Sequence, residues 1–322
     1  MSTRLYDIAT RIQMYAEGAS AHQTHEFNRA IARLSEAIGA ELSKAKYNKL
    51  DDLTKGELNA LLKKLRAAQT QVYSSVNLSL IVTLERFMTA ALDVNRIAWA
   101  TEKEGSDTPL SDREALAFLK NNGTAGLYGL AGITGDNGRF WAQIKNQPMP
   151  ANGFYLLPFL ASFATASTAR VENRIRQGWA NKQDIRELIN DIYAEGDEPS
   201  AMRTAYNQGR AAINTAFAFV AGMASVGVAS SLHNKYTWVS VMDERTTEEC
   251  SELDGRVFKY GEGPIPPGHY GCRSLVAPYE GATPNETFNE WKERQPEAVK
   301  NYDFEPLTVV QFSDKIGDIL SI

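Results

Sequence analysis

The sequence has little cysteine: Cys250 and Cys272 are the only two among 322 residues. This scarcity excludes a small secreted scaffold held together by disulfides, and it predicts folding in a reducing cytoplasm. The N-terminus lacks the apolar core of a signal peptide, so we expect no export.

An excess of positive charge is also missing, because 34 basic and 39 acidic residues leave a net charge of −5. That balance excludes a general electrostatic affinity for nucleic acid.

Long, strongly apolar runs are missing as well. The two uncharged stretches, 151–169 and 211–232, are diluted by small and polar residues, and the first contains Pro158. A membrane span needs about 20 predominantly apolar residues. We therefore expect both stretches to be buried helices that pack closely through small residues, with no membrane partner.

Apolar residues at helical spacing fill most of residues 1–120. The pattern predicts a helix from Leu5 to Tyr15, a break at Gly18 and a second helix from Phe27 to Leu42. Thr54 and Glu57 form a capping box, in which each side chain accepts from a backbone N–H of the other residue. A further helix is predicted over 72–99.

The middle of the chain changes character twice. A glycine stands at every third position from Gly123 to Gly138, which favours a loop or an extended arm that a neighbouring subunit orders. Helical periodicity then resumes, and Ser200 is a candidate N-cap for an Ala-rich helix that ends near Leu232.

Near the C-terminus the pattern becomes that of short strands. The segments YTWVSVMD, DGRVFKY and RSLVAPY are rich in β-forming residues, and a rigid Pro/Gly loop precedes the third. The predicted fold class is α+β, mainly α, with a helical body and a small β-rich module that contains Cys and His. The predicted regions are a helical region (1–120), a glycine-rich loop or arm (121–153), a second helical region (154–236), the β-rich module (237–280) and a C-terminal tail (281–322).

The β-rich module holds a candidate metal site. Thiolate and imidazole are preferred ligands of tetrahedral zinc, and the H-x-x-C spacing of His269 and Cys272 suits one side of such a site. Cys250 is expected to join them from the opposite turn. The fourth ligand is open: an oxygen from Asp243 or Asp254, or water, would complete the shell. Two other interpretations remain, namely buried thiols that bind nothing and a disulfide formed after release from the cell.

An open fourth position is also typical of catalytic zinc, so a zinc-dependent hydrolase or nuclease is the alternative function. The only nearby candidates for a general base are Glu248, Glu249 and Glu252, which are expected to form a solvated face. Catalytic residues are therefore not assigned, and the protein is expected not to be an enzyme.

The same residues carry a resemblance to a family. The order D-x-R-T, Cys, LDG and PP-x-H-x-x-CR, from Asp243 to Arg273, resembles the signature of phage head morphogenesis proteins of the Mu type. A weaker similarity extends upstream over the helix Arg203–Asn214, and together they cover roughly residues 165–280. The family commonly has C-x-x-C in the first half of the motif, whereas this chain has Thr247 in place of the first cysteine.

The resemblance implies a minor capsid protein that is made in the host cytoplasm and ends in the virion, in the head interior or at the portal vertex. Its implied partners are the portal protein and the major capsid protein, and its implied role is head assembly or DNA retention and delivery. Self-association is a further expectation, as is weak contact of packaged DNA with basic residues between Arg170 and Arg186. A second alternative is an ejected protein whose apolar helices enter a membrane during infection.

Overall fold

The computed structural model describes residues 4–44, 50–104, 136–193, 200–230 and 233–279, together with Gly281, Glu290 and Glu293. The helices and strands of these residues are, in chain order, α1 (Arg4–Ser43), α2 (Lys55–Glu104), α3 (Asn137–Lys145), α4 (Leu156–Ala180), α5 (Ile185–Tyr193), α6 (Ala201–Ala229), β1 (Lys235–Val239), α7 (Glu248–Leu253), β2 (Val257–Lys259) and β3 (Leu275–Pro278). A 3₁₀ turn, Leu50–Asp52, precedes α2. This architecture confirms the mainly helical α+β fold class with a small sheet near the C-terminus.

Helix α1 is longer than its sequence pattern predicts. It runs without interruption for 40 residues through Gly18, so the predicted break there was wrong. A glycine inside a helix costs only about 1 kcal/mol relative to alanine. Ala16 and Ala19, on either side of it, are each 1% exposed, and the burial of this face outweighs that cost.

Helix α2 begins where the capping box predicted. The Thr54 N–H donates to Glu57 Oε2 at 2.9 Å, and the Glu57 N–H donates to Thr54 Oγ1 at 3.3 Å. The helix then continues for 50 residues, so the two helices predicted on this stretch are one.

The predicted glycine-rich arm comprises residues 121–153. Its first part, 121–135, lies outside the described residues. Its described remainder holds helix α3, where the sequence favoured a loop. Asp136 caps this helix by accepting from the Arg139 N–H at 2.9 Å, and Phe140, Trp141 and Ile144 are its buried face. The burial of three apolar residues at helical spacing thus outweighs the low helix propensity of Gly138 in the first turn. The predicted tail, 281–322, also lies outside the described residues apart from three isolated positions.

Two helices of the described residues are long and apolar enough to span a membrane by composition, Lys55–Arg96 and Ala201–Ala229. In the second helix, 89% of the most apolar 18-residue segment is buried in the protein. This burial was predicted for a helix that packs through small residues. Its N-cap is Ser200, whose Oγ accepts from the Arg203 N–H at 3.1 Å. The other uncharged stretch, 151–169, differs from the prediction because most of its residues are exposed or half-buried.

The chain forms two compact units. The first comprises Met1–His22, Val82–Leu156 and Asn214–Ile322, and the second comprises Gln23–Ile81 and Leu157–Ile213. In the second unit, Arg66 of α2 makes a two-pronged ion pair with Glu172 of α4, with N–O distances of 2.6 and 2.7 Å. This unit also buries Phe27 so closely against Gly209 that a Cβ there would lie 2.2 Å from the ring.

The first unit contains the sheet. The strand order is β2-β1-β3 and both pairings are antiparallel, with Tyr236 opposite Phe258 and Trp238 opposite Val276. Trp238 and Tyr236 are fully buried. One core cluster joins the start of α1 to this module through Tyr6, Ala9, Met14, Val239, Val241, Leu275 and Ala277. The three predicted strands are confirmed, and they hold the loops that carry the cysteines and His269.

Candidate metal centre

Cys250 lies on the short helix α7 and is 2% exposed. The sequence pattern predicts a turn at this position. A helix forms instead because the Thr247 hydroxyl caps it, accepting from the Cys250 N–H at 3.4 Å. The cap fixes Cys250 on the inner face of the helix and leaves Glu248, Glu249 and Glu252 exposed, as predicted.

His269 and Cys272 lie on the Pro/Gly loop between β2 and β3. The loop turns back on itself, since the Cys272 N–H donates to the His269 carbonyl at 3.2 Å. Gly271, at the centre of the turn, has a φ of 70°, a conformation that favours glycine. Its N–H donates to the buried hydroxyl of Thr215 on α6 at 3.0 Å. The loop is therefore anchored to a core helix.

The structure brings together all three residues that the sequence predicted as metal ligands. The Sγ atoms of Cys250 and Cys272 are 3.7 Å apart, and Cys250 Sγ lies 3.2 Å from His269 Nε2. All three ligand atoms lie within 4.8 Å of one another. Two Zn–S bonds of about 2.3 Å at a tetrahedral angle separate their sulfurs by about 3.8 Å, so the sulfur pair already has the spacing of a zinc site.

The tautomer of His269 suits a ligand. Its Nδ1 lies 3.0 Å from the backbone carbonyl of Tyr270, and a carbonyl oxygen can only accept a hydrogen bond. Nδ1 therefore carries the proton, and Nε2 presents its lone pair toward the two sulfurs. In many metal-binding proteins, the ring nitrogen that does not bind the metal donates a hydrogen bond of this kind, and the bond fixes the orientation of the histidine.

A hydrogen bond at 3.7 Å joins the two sulfur atoms. The hydrogen bond from the Cys250 thiol lowers the pKa of Cys272 to about 6, although burial opposes this shift. The same contact, together with burial, raises the pKa of Cys250 above its ordinary value. One thiolate thus forms readily next to the imidazole, and a bound cation would favour loss of the second proton.

Neither aspartate proposed from the sequence as a fourth ligand belongs to the cluster. Asp243 instead makes a two-pronged ion pair with Arg273, with N–O distances of 2.8 and 2.5 Å, and this contact lowers its pKa to about 2. Asp254 accepts from the Ser240 N–H at 2.7 Å, and burial raises its pKa. The oxygen atom that does lie against His269 Nε2 is Thr247 Oγ1, at 3.0 Å.

A buried network of hydroxyl groups supports the cluster, and the sequence did not reveal it. The Ser240 hydroxyl donates to the Cys250 carbonyl at 2.7 Å, accepts from Trp238 Nε1 at 2.9 Å and lies 3.1 Å from the Ser274 hydroxyl. These contacts connect β1 to α7 and to the residue that precedes β3. Ser240 and Ser274 give no sequence signal because isolated serines are common on surfaces.

Glu17 on α1 was also missed. Burial raises its pKa to about 7, against the attraction of Arg273 and Arg245, while Asp243 adds to the rise. No pattern in the sequence connects a residue on the first helix to the loop beside Cys272. The half-buried carboxyl group of Glu17 is therefore a further ionisable group close to this module.

The space beside the cluster is small. Arg245, Thr246, Thr247, His269 and Arg273 are among the residues that line a cavity of about 10 Å³, which holds about one water molecule. The cavity itself has no room for a molecule larger than about one water.

Residues 169–277, about a third of the chain, match a family model described as Phage Mu protein F like protein. This part of the chain is Mu F-like. The match confirms the family resemblance inferred from the motif, and it includes all three residues of the cluster. It suggests a phage head morphogenesis protein, a class that is typically structural. No curated protein and no solved structure matches the chain.

The structure gives a physical role to the motif of the Mu F-like region. Asp243 accepts from the Arg245 N–H at 2.9 Å and binds Arg273. The Gly255 N–H donates to the Trp238 carbonyl at 2.9 Å and its φ is 71°. Pro266 lies against Gly222 of α6, where a Cβ would be 3.1 Å from the Pro266 oxygen. Each of these residues shapes or closes the module around the cluster.

Proposed function

We propose that the protein is a structural minor component of a phage head. It docks on the portal protein or on the inner surface of the major capsid protein, and it aids head assembly or DNA retention and delivery. The match of residues 169–277 to the Mu F-like family carries this proposal. The use of the motif residues in hydrogen bonds and ion pairs within the module supports it, because such residues build a fold, and neither Asp243 nor Asp254 is left free to act on a substrate.

Within this function, Cys250, His269 and Cys272 hold a structural zinc ion. When bound, zinc supplies a cross-link between α7 and the Pro/Gly loop. The chain's own groups prepare the site: Thr247 caps α7, Tyr270 orients the imidazole, and Gly271 anchors the loop. A structural zinc contributes directly to folding free energy.

The alternative of a zinc hydrolase or nuclease has less support. Its site would need access for a substrate, and the cavity of about 10 Å³ beside the cluster accommodates about one water molecule. The second alternative, an ejected protein that enters a membrane, has the composition of the two long helices in its favour. Against it, 89% of the most apolar 18-residue segment of the Ala201–Ala229 helix is buried inside the folded chain.

The proposed function predicts that purified heads contain this protein in far fewer copies than the major capsid protein. Quantitative mass spectrometry with labelled reference peptides measures the ratio, and heads from a phage in which the gene is interrupted provide the control. Comparison of full heads with particles that have released their DNA separates the alternatives. Heads without the protein contradict the proposal, and its loss together with the DNA favours the ejected-protein alternative.

A second test separates a structural role from an enzymatic one. Simultaneous replacement of Glu248, Glu249 and Glu252 by Gln should leave head assembly and infectivity unchanged, because all three carboxylates are exposed. The loss of favourable charge at the start of α7 should cost no more than about 1–2 kcal/mol in total. Normal numbers of heads that have lost infectivity would instead support catalysis by this face.

The basic residues between Arg170 and Arg186 are proposed to contact packaged DNA weakly. Arg176 and Arg186 are exposed, whereas Arg174 is paired with Asp191. These exposed cations are available for non-specific phosphate contacts that weaken as salt rises.

A further inference from the structure

A threonine hydroxyl lies next to the three residues of the cluster. Thr247 Oγ1 lies 3.0 Å from His269 Nε2, and Cys250 Sγ lies 3.2 Å from that same nitrogen. The hydroxyl thus stands against the atom whose lone pair faces the sulfurs. We propose that Thr247 supplies the fourth ligand of the metal site through its neutral hydroxyl oxygen. This inference rests on the zinc site proposed above.

The hydroxyl has the capacity for this role. A threonine oxygen has two acceptor lone pairs and one proton. One lone pair receives the Cys250 N–H at the start of α7, at 3.4 Å. In the metal-free chain the proton is donated to His269 Nε2, because that nitrogen carries a lone pair. When a cation takes that lone pair, the hydroxyl proton would turn outward to the water-sized cavity that Thr247 lines, and the second oxygen lone pair would face the cation. The Thr247 oxygen would therefore both cap the start of α7 and complete the coordination of the metal.

Charge favours a neutral fourth ligand. The thiolates of Cys250 and Cys272 together balance the two positive charges of Zn²⁺, and the imidazole and hydroxyl add none. Nearby, Arg273 is already paired with Asp243 at 2.8 Å. An additional carboxylate from Asp243 or Asp254 would have to leave its present partner, Arg273 in one case and the Ser240 N–H in the other.

The proposal predicts a site that holds metal less tightly than one with a third sulfur. Hydroxyl oxygen is not among the common zinc ligands, whereas thiolate is. Even the loss of a residue that only hydrogen-bonds to a ligand alters metal affinity by about 10–100-fold, so a direct exchange of ligand at this position should have at least that effect. Thr247→Cys should bind metal more tightly than the native chain, and Thr247→Val should bind it more weakly.

Cobalt(II) bound to the full chain provides the test, because its thiolate charge-transfer absorption grows with the number of coordinated sulfurs. Native protein and Thr247→Ser should show the absorption of two thiolates and similar affinities in competition with a chelator. Thr247→Cys should show that of three thiolates, with an affinity higher by about tenfold or more. Thr247→Val keeps the side-chain shape without the hydroxyl and should lose about tenfold in affinity.

The outcomes distinguish this inference from the metal site itself. Native protein that binds no cobalt contradicts the proposed zinc site, and with it the role of Thr247. Native protein that binds cobalt, while the new thiol of Thr247→Cys stays reactive and adds no charge-transfer absorption, overturns only the fourth-ligand assignment. Equal affinities of the native, Ser and Val forms overturn it as well.

Discussion

Replacement of Cys272 by Ala is expected to abolish zinc binding and to destabilise the sheet module strongly. Cys272 is 2% exposed, and its sulfur lies 3.7 Å from that of Cys250. Removal of one of two sulfurs leaves a site with too few strong ligands for zinc. Zinc present at about a thousand times its dissociation constant stabilises the folded chain by about 4 kcal/mol, and the variant should lose that contribution.

Elemental analysis of the purified chain measures the zinc, and hydrogen exchange of the amides of β1 to β3 measures the local stability. The Trp238 and Gly255 amides, which bond across the β1–β2 pairing, should exchange faster in Cys272→Ala and in native protein treated with a chelator. His25→Ala is the matched control, because His25 is exposed on α1. Native protein that is free of zinc, folded and unaffected by the chelator would show that the thiols have no metal role.

Replacement of Glu17 by Gln is expected to stabilise the protein above neutral pH. Burial raises the pKa of Glu17 from an ordinary value near 4.5 to about 7 in the folded chain. The folded state therefore holds the proton more tightly than the unfolded state. The stability associated with this carboxyl is fully present below about pH 4.5, and it declines as the pH rises until the folded chain loses the proton near pH 7.

Glutamine resembles the protonated carboxyl and does not ionise, so it avoids this loss. At about pH 8 the Glu17→Gln chain should be more stable by an amount on the order of 2–3 kcal/mol, and the difference should nearly vanish at about pH 4. Denaturant unfolding at several pH values measures it, with Glu36→Gln as a control at an exposed position of α1. A variant that is less stable than the native chain above neutral pH would mean that an ionised Glu17 is the favoured partner of Arg273.

Much of the fold could be predicted because its signals are local. Segments rich in β-forming residues identified the three strands, and the Thr54–Glu57 pair identified the start of α2. The predictions that failed concern helix boundaries and the burial of residues 151–169. Gly18 and Gly138 are tolerated inside helices because apolar neighbours are buried around them, and single-sequence periodicity does not report how much burial a position will have.

The three residues that form the cluster could be predicted from the sequence, but their surroundings could not. Cys250, His269 and Cys272 are recognisable by residue type and spacing. Thr247, by contrast, is visible in the sequence only as the place of a missing cysteine, and its contact with His269 depends on how α7 begins. Glu17 and Thr215 reach the module from α1 and α6, and contacts between such distant parts of the chain leave no local signal.

The order of the strands determines how this module would respond to mechanical load. Strand β3 lies at an edge of the three-stranded sheet, where its neighbour is β1. A pull on the chain beyond β3 arrives first at the Tyr279 N–H, which donates to the Lys235 carbonyl at 3.0 Å. The ladder would then open one hydrogen bond at a time, from Pro278 toward Leu275.

Opening in this direction reaches the connections of the Cys/His loop last. Arg273, with its ion pair to Asp243, and Cys272, with its sulfur contact to Cys250, lie just before Leu275 at the far end of the strand. Opening of the ladder would also pull Leu275 and Ala277 out of the core that they share with α1, so the loss of buried apolar surface opposes it along the whole strand. A load on the C-terminal side of β3 would therefore be borne by the buried core and by the Cys/His loop together.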